Sequence, residues 1–197
     1  AVDLLKATLP PLEPERVTPE AIELDVLFEN ENTLVLNKPQ GLVVHPGAGN
    51  PSGTLANALV QYSLELQRSF HEEELRPGIV HRLDKETSGV IVAAKTPEAL
   101  QVLSRRFKSR ETRKVYIAIL RGTPPATEGV VEGFIRRDPK HRKRFAYSEV
   151  DGKDAFTAYR VLRHFPGGYT LVRFAPKTGR THQLRVHAAH LQAPILG

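Results

Sequence analysis

At 197 residues, 40% of them apolar and 25% charged, the chain can bury a sizeable core and has the make-up of a soluble globular protein. No segment approaches the roughly 18–20 apolar residues of a membrane span, the start Ala1–Lys6 does not read as a signal peptide, and the lack of cysteine excludes disulfides and thiolate chemistry. The net charge of +6 is uneven: residues 1–80 carry 5 Lys and Arg against 12 Asp and Glu, residues 81–197 carry 23 against 10, so the second part offers an electropositive surface to a polyanion, and nucleic acid is the expected partner.

Residues 1–24 read as a linker, kept extended by Pro10, Pro11, Pro14 and Pro19 and solvated by Glu13, Glu15 and Glu20. Short strands follow at Val26–Phe28 and Thr33–Asn37, the second stopped at Lys38-Pro39. The loop Gly41–Gly53 is rich in glycine and proline and is expected to be ordered by turns. Thr54 is placed to cap a helix from Leu55 to about Gln67, with Leu55, Leu59 and Tyr62 on its apolar side. A strand is expected at Val90–Lys95. Thr96 then caps a helix with Pro97 at its first position, Glu98 in its first turn, and Leu100, Leu103 and Phe107 as its stripe. Lys114–Leu120 alternates, with Val115, Ile117 and Ile119 on one face and Tyr116, Ala118 and Leu120 on the other. Strands at Val130–Ile135, Ala155–Leu162 and Tyr169–Ala175 precede a helix from near Thr181 to Leu191, with Leu184, Ala188 and Leu191 as its buried stripe. Strands outnumber helices and do not alternate regularly with them, so an α+β fold is expected, a mixed and mainly antiparallel sheet with flanking helices. With no methionine, the chain is expected to be processed or a fragment.

Three segments carry candidate chemistry. The first is His81-Arg82-Leu83-Asp84-Lys85-Glu86-Thr87-Ser88-Gly89, set between two apolar runs. In an extended stretch Arg82 and Asp84 point one way and His81 and Leu83 the other. Taken alone, Asp84 reads as a turn-capping residue; beside an arginine at the lip of a buried strand, it also reads as a fixed, ionised nucleophile. The second is Pro176–His187. Its Thr178-Gly179-Arg180 leads into a helix N-terminus, an anion-binding arrangement, with Arg185 one turn further in. Alone, Arg185 is an exposed helical charge, and His182, His187 and His190 are surface or hydrogen-bonded core residues. With no Cys or carboxylate in the segment, no metal site is expected. The third is Arg113-Lys114-Val115-Tyr116, whose tyrosine would ordinarily be core. Two basic stretches read as phosphate contacts: Arg105, Arg106, Lys108, Arg110, Arg113 and Lys114, then Arg136, Arg137, Lys140, Arg142, Lys143 and Arg144.

In this order the segments resemble the RluA/RluD-type RNA pseudouridine synthases. His81–Gly89 resembles the family's catalytic motif, Arg113–Tyr116 the motif whose tyrosine stacks on the target uracil, and Pro176–His187 the third motif. Asn37–Pro46 resembles the first motif, whose role there is mainly to shape the wall behind the catalytic loop. Gly47–Thr54 is most similar to the ribosomal large-subunit synthase D subgroup. The resemblance spans residues 25–197 and implies a pseudouridine synthase catalytic domain there. It implies Asp84 as nucleophile or electrostatic trigger, with base or sugar attack left open. Tyr116 would stack on the base and handle the C5 proton, and Arg185 would pair with Asp84. Arg82 would fill the stack after base flipping, and Arg82 and Arg180 join the RNA-binding set. The expected enzyme is a cytoplasmic, monomeric isomerase acting on 23S-type ribosomal RNA without cofactor or metal. The family's subgroup has an S4-type domain before the linker and further strands after the position of Gly197, so a fragment cut at both ends is expected. Rival readings are a non-catalytic ribosomal RNA-binding or assembly factor, a synthase acting on transfer RNA, and a glycosidase-like or nuclease enzyme using Glu86 as second carboxylate.

Overall fold

The computed structural model describes residues 17–47, 49–62, 78–141 and 144–197. Most of the expected linker, the helical positions beyond Tyr62, and Arg142 and Lys143 lie outside them. The chain divides between Leu103 and Ser104 into two compact units.

In the first unit, strands β1 (Val26–Glu29), β2 (Thr33–Lys38) and β3 (Gly89–Ala94) form an antiparallel sheet in that order. The period of two fixes its packed face. Leu34 lies opposite Ala93 and Leu36 opposite Ile91, and all four are buried. Val44, Leu55 and Leu59 complete this core. Helix α1 (Leu55–Tyr62) brings in the last two. Its first turn is closed from one side only, by the Asn57 side chain reaching back: Asn57 Oδ1 accepts both the Thr54 backbone N–H at 3.0 Å and the Thr54 hydroxyl at 2.5 Å. Tyr62 departs from the expected apolar stripe. It is 46% exposed and its hydroxyl donates to Glu29.

Helix α2 (Pro97–Lys108) starts where the sequence places it, with the Thr96 hydroxyl accepting from the Ala99 N–H at 3.2 Å. Its expected stripe, Leu100, Leu103 and Phe107, is only half-buried. The turn that closes the helix after Lys108 has Arg110, a non-glycine residue, in the left-handed region (φ 62°). There Glu111 N–H reaches back to Arg106 and Arg110 N–H to Phe107, the bonding of a Schellman end with arginine in the usual glycine place.

The second unit holds β4 (Tyr116–Arg121), β5 (Glu128–Arg137), β6 (Phe145–Ser148), β7 (Lys153–Phe165) and β8 (Tyr169–Pro176). They form an antiparallel sheet in the order β4-β8-β7-β5-β6. The short β6 has no counterpart in the sequence reading. Leu120, Val172, Phe174, Tyr159 and Val131 make the packed face, with Ala188 and Ala193 laid against it. On β4 the packed set is Tyr116, Ala118 and Leu120, while Val115, Ile117 and Ile119 are 47, 56 and 42% exposed. The mainly antiparallel α+β expectation holds.

Helix α3 runs from Gln183 to His190, two residues later than expected, because His182 takes a left-handed conformation (φ 53°). Its buried residues are Gln183, Val186, His187 and Ala188, and the expected Leu184 and Leu191 are half-buried beside the core. The shifted start rotates two polar residues onto the sheet. Gln183 satisfies its amide there, and His187 does not: it is fully buried and neither ring nitrogen has a hydrogen-bond partner among the described residues. The expectation of a hydrogen-bonded core histidine is corrected accordingly. Tyr147 meets the His187 ring edge-on and stacks on His190 at 3.8 Å. Gly133 makes room for that tyrosine, since a Cβ there would lie 2.6 Å from its ring.

Burial, then the charge of His190, lower the His187 pKa from 6.5 to about 4. A neutral buried imidazole stabilises the fold fully above the unfolded pKa. As pH falls from about 6.5 to about 4, the unfolded chain binds the proton first, and up to about 3 kcal/mol is lost. His187→Leu is expected to remove that slope. Urea unfolding of both forms across this range measures it, and equal slopes would contradict the assignment.

Candidate active site

Asp84 sits on a turn held from two sides. Upstream, Ile79 pairs with Ala93 of β3, Gly78 accepts the Ala94 N–H, and His81 Nε2 accepts the Val92 N–H at 3.0 Å. That last bond fixes the His81 proton on Nδ1 whenever the ring is neutral. Leu83 is buried and Arg82 exposed, so the alternation of this stretch turns Arg82 outward. Asp84, half-buried, then opens a β-turn closed by the Thr87 N–H on the Asp84 carbonyl at 3.0 Å. Downstream the chain enters β3 at Gly89 with φ 124°, a conformation that a residue with a Cβ adopts only under strain.

The tip of the turn is clamped from below by the loop after β2. The Lys85 carbonyl accepts the Gly41 N–H at 2.8 Å and the Lys38 ammonium at 3.3 Å. Glu86 accepts from the Gln40 side-chain amide at 3.2 Å. Lys38 also donates to the carbonyls of Pro39 and Leu42, both at 2.8 Å, and it is 1% exposed. Burial lowers its pKa, opposed by the negative charges of Glu86 and then Asp84. From sequence, Lys38 reads as a strand stop within the Asn37–Pro46 resemblance, with no role of its own assigned. The signal was present: Leu34, Leu36 and Lys38 alternate, which sets the lysine on the packed face.

In the second unit, Tyr116 opens β4 half-buried against the core. Arg185 is half-buried on α3, and its guanidinium donates to the Gly197 carbonyl at 2.6 Å. The turn before α3 is organised by Gln183, another residue the sequence reading left out. Its side-chain oxygen accepts the Thr178 hydroxyl at 2.7 Å and the Arg180 N–H at 2.9 Å, and its amide nitrogen donates to Phe156 O and Thr157 Oγ1. Every hydrogen-bonding position of a buried amide is thereby used. The Arg180 N–H is thus not left for an anion.

Cationic side chains converge near this turn. Lys114 is half-buried, bonds the Thr178 carbonyl at 3.4 Å, and has its pKa lowered by burial and then by Arg110 and Arg180. Arg180 is oriented by donating to the Asp154 carbonyl at 2.8 Å. Arg105, Arg106, Lys108, Arg113, Lys140 and Arg144 are exposed. Arg136 is engaged by Asp151 at 2.7 Å, and Arg137 lies 4.6 Å over the Phe145 ring.

Comparisons with known proteins identify the family. Residues 32–190 match the family described as RNA pseudouridylate synthase, and the chain belongs to that family. It is 49% identical over 179 residues to ribosomal large subunit pseudouridine synthase D of Borreliella burgdorferi, covering 91% of this chain and 55% of that protein. The fold is similar to human RNA pseudouridylate synthase domain containing 4, with TM-score 0.67 and 31% identity over 88% of this chain and 67% of that one. It is also similar to human RNA pseudouridylate synthase domain containing 1, with TM-score 0.69 and 26% identity over 95% and 70% of the two chains. The chain spans little more than half the length of the curated relatives it matches. No helix among the described residues is long and apolar enough to cross a membrane.

Proposed function

We propose that the protein containing this chain isomerises specific uridines of large-subunit ribosomal RNA to pseudouridine, with residues 25–197 as its catalytic domain. The observation that carries the reading is the clamped turn presenting Asp84, in a family member whose relatives include ribosomal large subunit synthases D. In the reaction the N1–C1′ bond breaks, the uracil turns, C5 bonds to C1′, and the C5 proton is replaced by one on N1. Atoms and electrons balance within the nucleotide, so neither an oxidant nor a reductant enters.

Asp84 acts as the nucleophile or the charge that triggers cleavage. Arg185 is the partner that the family resemblance assigns to it. Tyr116 stacks on the detached base and handles the C5 proton. Arg82, exposed one residue upstream of Leu83, takes the place of the flipped nucleotide in the stack. Arg110, Lys114 and Arg180 hold phosphate, and the protein works as a cytoplasmic monomer. The test is nucleotide-resolution mapping of pseudouridine in ribosomal and transfer RNA from cells with and without the protein. Loss of particular ribosomal sites, restored by the intact protein, is the expected result; unchanged maps would refute the reading.

A further inference from the structure

The edge strand of the second sheet is held by a helix more than by other strands. β6 has four residues and pairs with β5 alone. A short strand paired on one side is marginal by itself. Its inward side chains, Phe145 and Tyr147, pack on a small core of Ile135, Ala155 and Val186, the last from α3. They also meet three histidines of that helical segment. Phe145 stands edge-on to His182 at 6.0 Å, at the left-handed residue where α3 begins. Tyr147 stands edge-on to His187 at 6.2 Å and stacks on His190 at 3.8 Å, in the last turn. Rings in these geometries attract beyond the area they bury.

Tyr147 is itself firmly seated. Its hydroxyl donates to the Glu132 carbonyl at 2.8 Å, and Gly133 leaves the space its ring fills. Neither ring nitrogen of His187 has a hydrogen-bond partner among the described residues, so that ring is held by packing, Tyr147 included. β6 thus holds α3 near both ends, and Arg185 lies between the two points.

The far end of the β5–β6 hairpin carries charge. Lys140 and Arg144 are exposed there. Asp138 closes the tip: its carboxylate accepts the Lys140 and His141 N–H groups at 2.8 and 3.2 Å, and its own N–H meets the Arg144 carbonyl at 3.0 Å. Arg144 directly precedes Phe145, so a phosphate drawn to the tip acts on the strand that holds the helix.

We propose that Tyr147 is a positioning residue for the isomerisation: by holding α3 it couples capture of the RNA backbone at the β5–β6 tip to the placement of Arg185. This rests on the proposed function, in which Arg185 is the partner of Asp84.

The test uses the intact protein and a transcript of large-subunit ribosomal RNA. Single-turnover pseudouridine formation at saturating RNA should fall on the order of tenfold in Tyr147→Val, which suits a strand but lacks the ring. RNA affinity should stay unchanged, because no phosphate contact is removed. Lys140→Gln with Arg144→Gln should weaken binding alike in both backgrounds. At saturation it should slow the reaction only where Tyr147 is present, since Tyr147→Val has already cut the coupling. A folded Tyr147→Val with the wild-type rate overturns the proposal, and so does equal slowing by the tip substitutions in both backgrounds. Should Tyr147→Val not fold, the His187 and His190 ring signals decide, read by NMR with the core left native. A saturating short RNA hairpin should shift them, phosphate contacts being independent of sequence. Lys140→Gln with Arg144→Gln should abolish the shift. Ring signals that ignore the RNA, or that shift equally in both proteins, overturn the proposal. If the wild-type protein makes no pseudouridine, the proposed function fails instead, and the ring signals still judge the link between the tip and α3.

Discussion

Asp84→Asn in the intact protein is expected to lower pseudouridine formation by about a thousandfold or more while leaving RNA affinity within about twofold. The substitution keeps the shape of the side chain and removes its charge. The fold should tolerate it, because the turn is held by backbone and not by the carboxylate: Thr87 N–H meets the Asp84 carbonyl, and Gly41 N–H and Lys38 meet the Lys85 carbonyl. A structural aspartate that merely closed the turn would give the opposite pattern, a lowered melting temperature with activity retained in the folded fraction. The rival reading of a non-catalytic RNA binder predicts no loss at all, since such a protein makes no product with either residue. Single-turnover kinetics beside thermal unfolding separates the three. A variant that keeps more than about a tenth of the wild-type rate eliminates Asp84 as the reacting group.

The sequence made the site's residues easier to find than their supports. The stretch from His81 to Gly89 is contiguous, so its turn, its glycine and the alternation of Arg82 with Leu83 could be read directly. The Thr96 cap and Pro97 were legible for the same reason, being local chemistry at a helix start. Lys38 and Gln183 were not read as supports. Each is a polar residue with some partners close by in the chain and others far along it, at Lys85 for one and at Phe156 and Thr157 for the other. Burial of such a residue depends on acceptors that only the folded chain brings near. The β4 strand shows a second limit. Its two faces, Val115-Ile117-Ile119 and Tyr116-Ala118-Leu120, are both apolar, so period two alone did not say which one packs. The structure packs the face with the aromatic and leaves the β-branched one exposed. The start of α3 failed for a local reason: Thr181 looks like a cap, but the left-handed His182 delays the helix to Gln183 and turns His187 onto the sheet.

Replacing Arg105, Arg106, Lys108 and Arg113 together by glutamine is expected to weaken RNA binding at low salt by on the order of 100- to 1000-fold. Each cation that meets a phosphate releases a counterion, so each loss should flatten the log–log salt dependence by about 0.7–0.9 units, near 3 for the set. These four are exposed, whereas Arg136 is drawn to Asp151 at 2.7 Å. Arg136→Gln should therefore change the slope less than any of the four. The competing reading is that Arg105, Arg106 and Lys108 merely complement the C-terminal dipole of α2. That reading predicts a loss of helix stability of about 0.3–1 kcal/mol per residue and no change in the salt slope. Arg82→Ala marks the other extreme. Under the proposed function Arg82 fills the place of the flipped nucleotide, so its loss should slow turnover while leaving the slope nearly intact. Titrations of RNA into each variant at several salt concentrations compare them. Wild-type slopes throughout would mean that the cations of α2 never touch the backbone, and that the excess positive charge after residue 80 has another purpose.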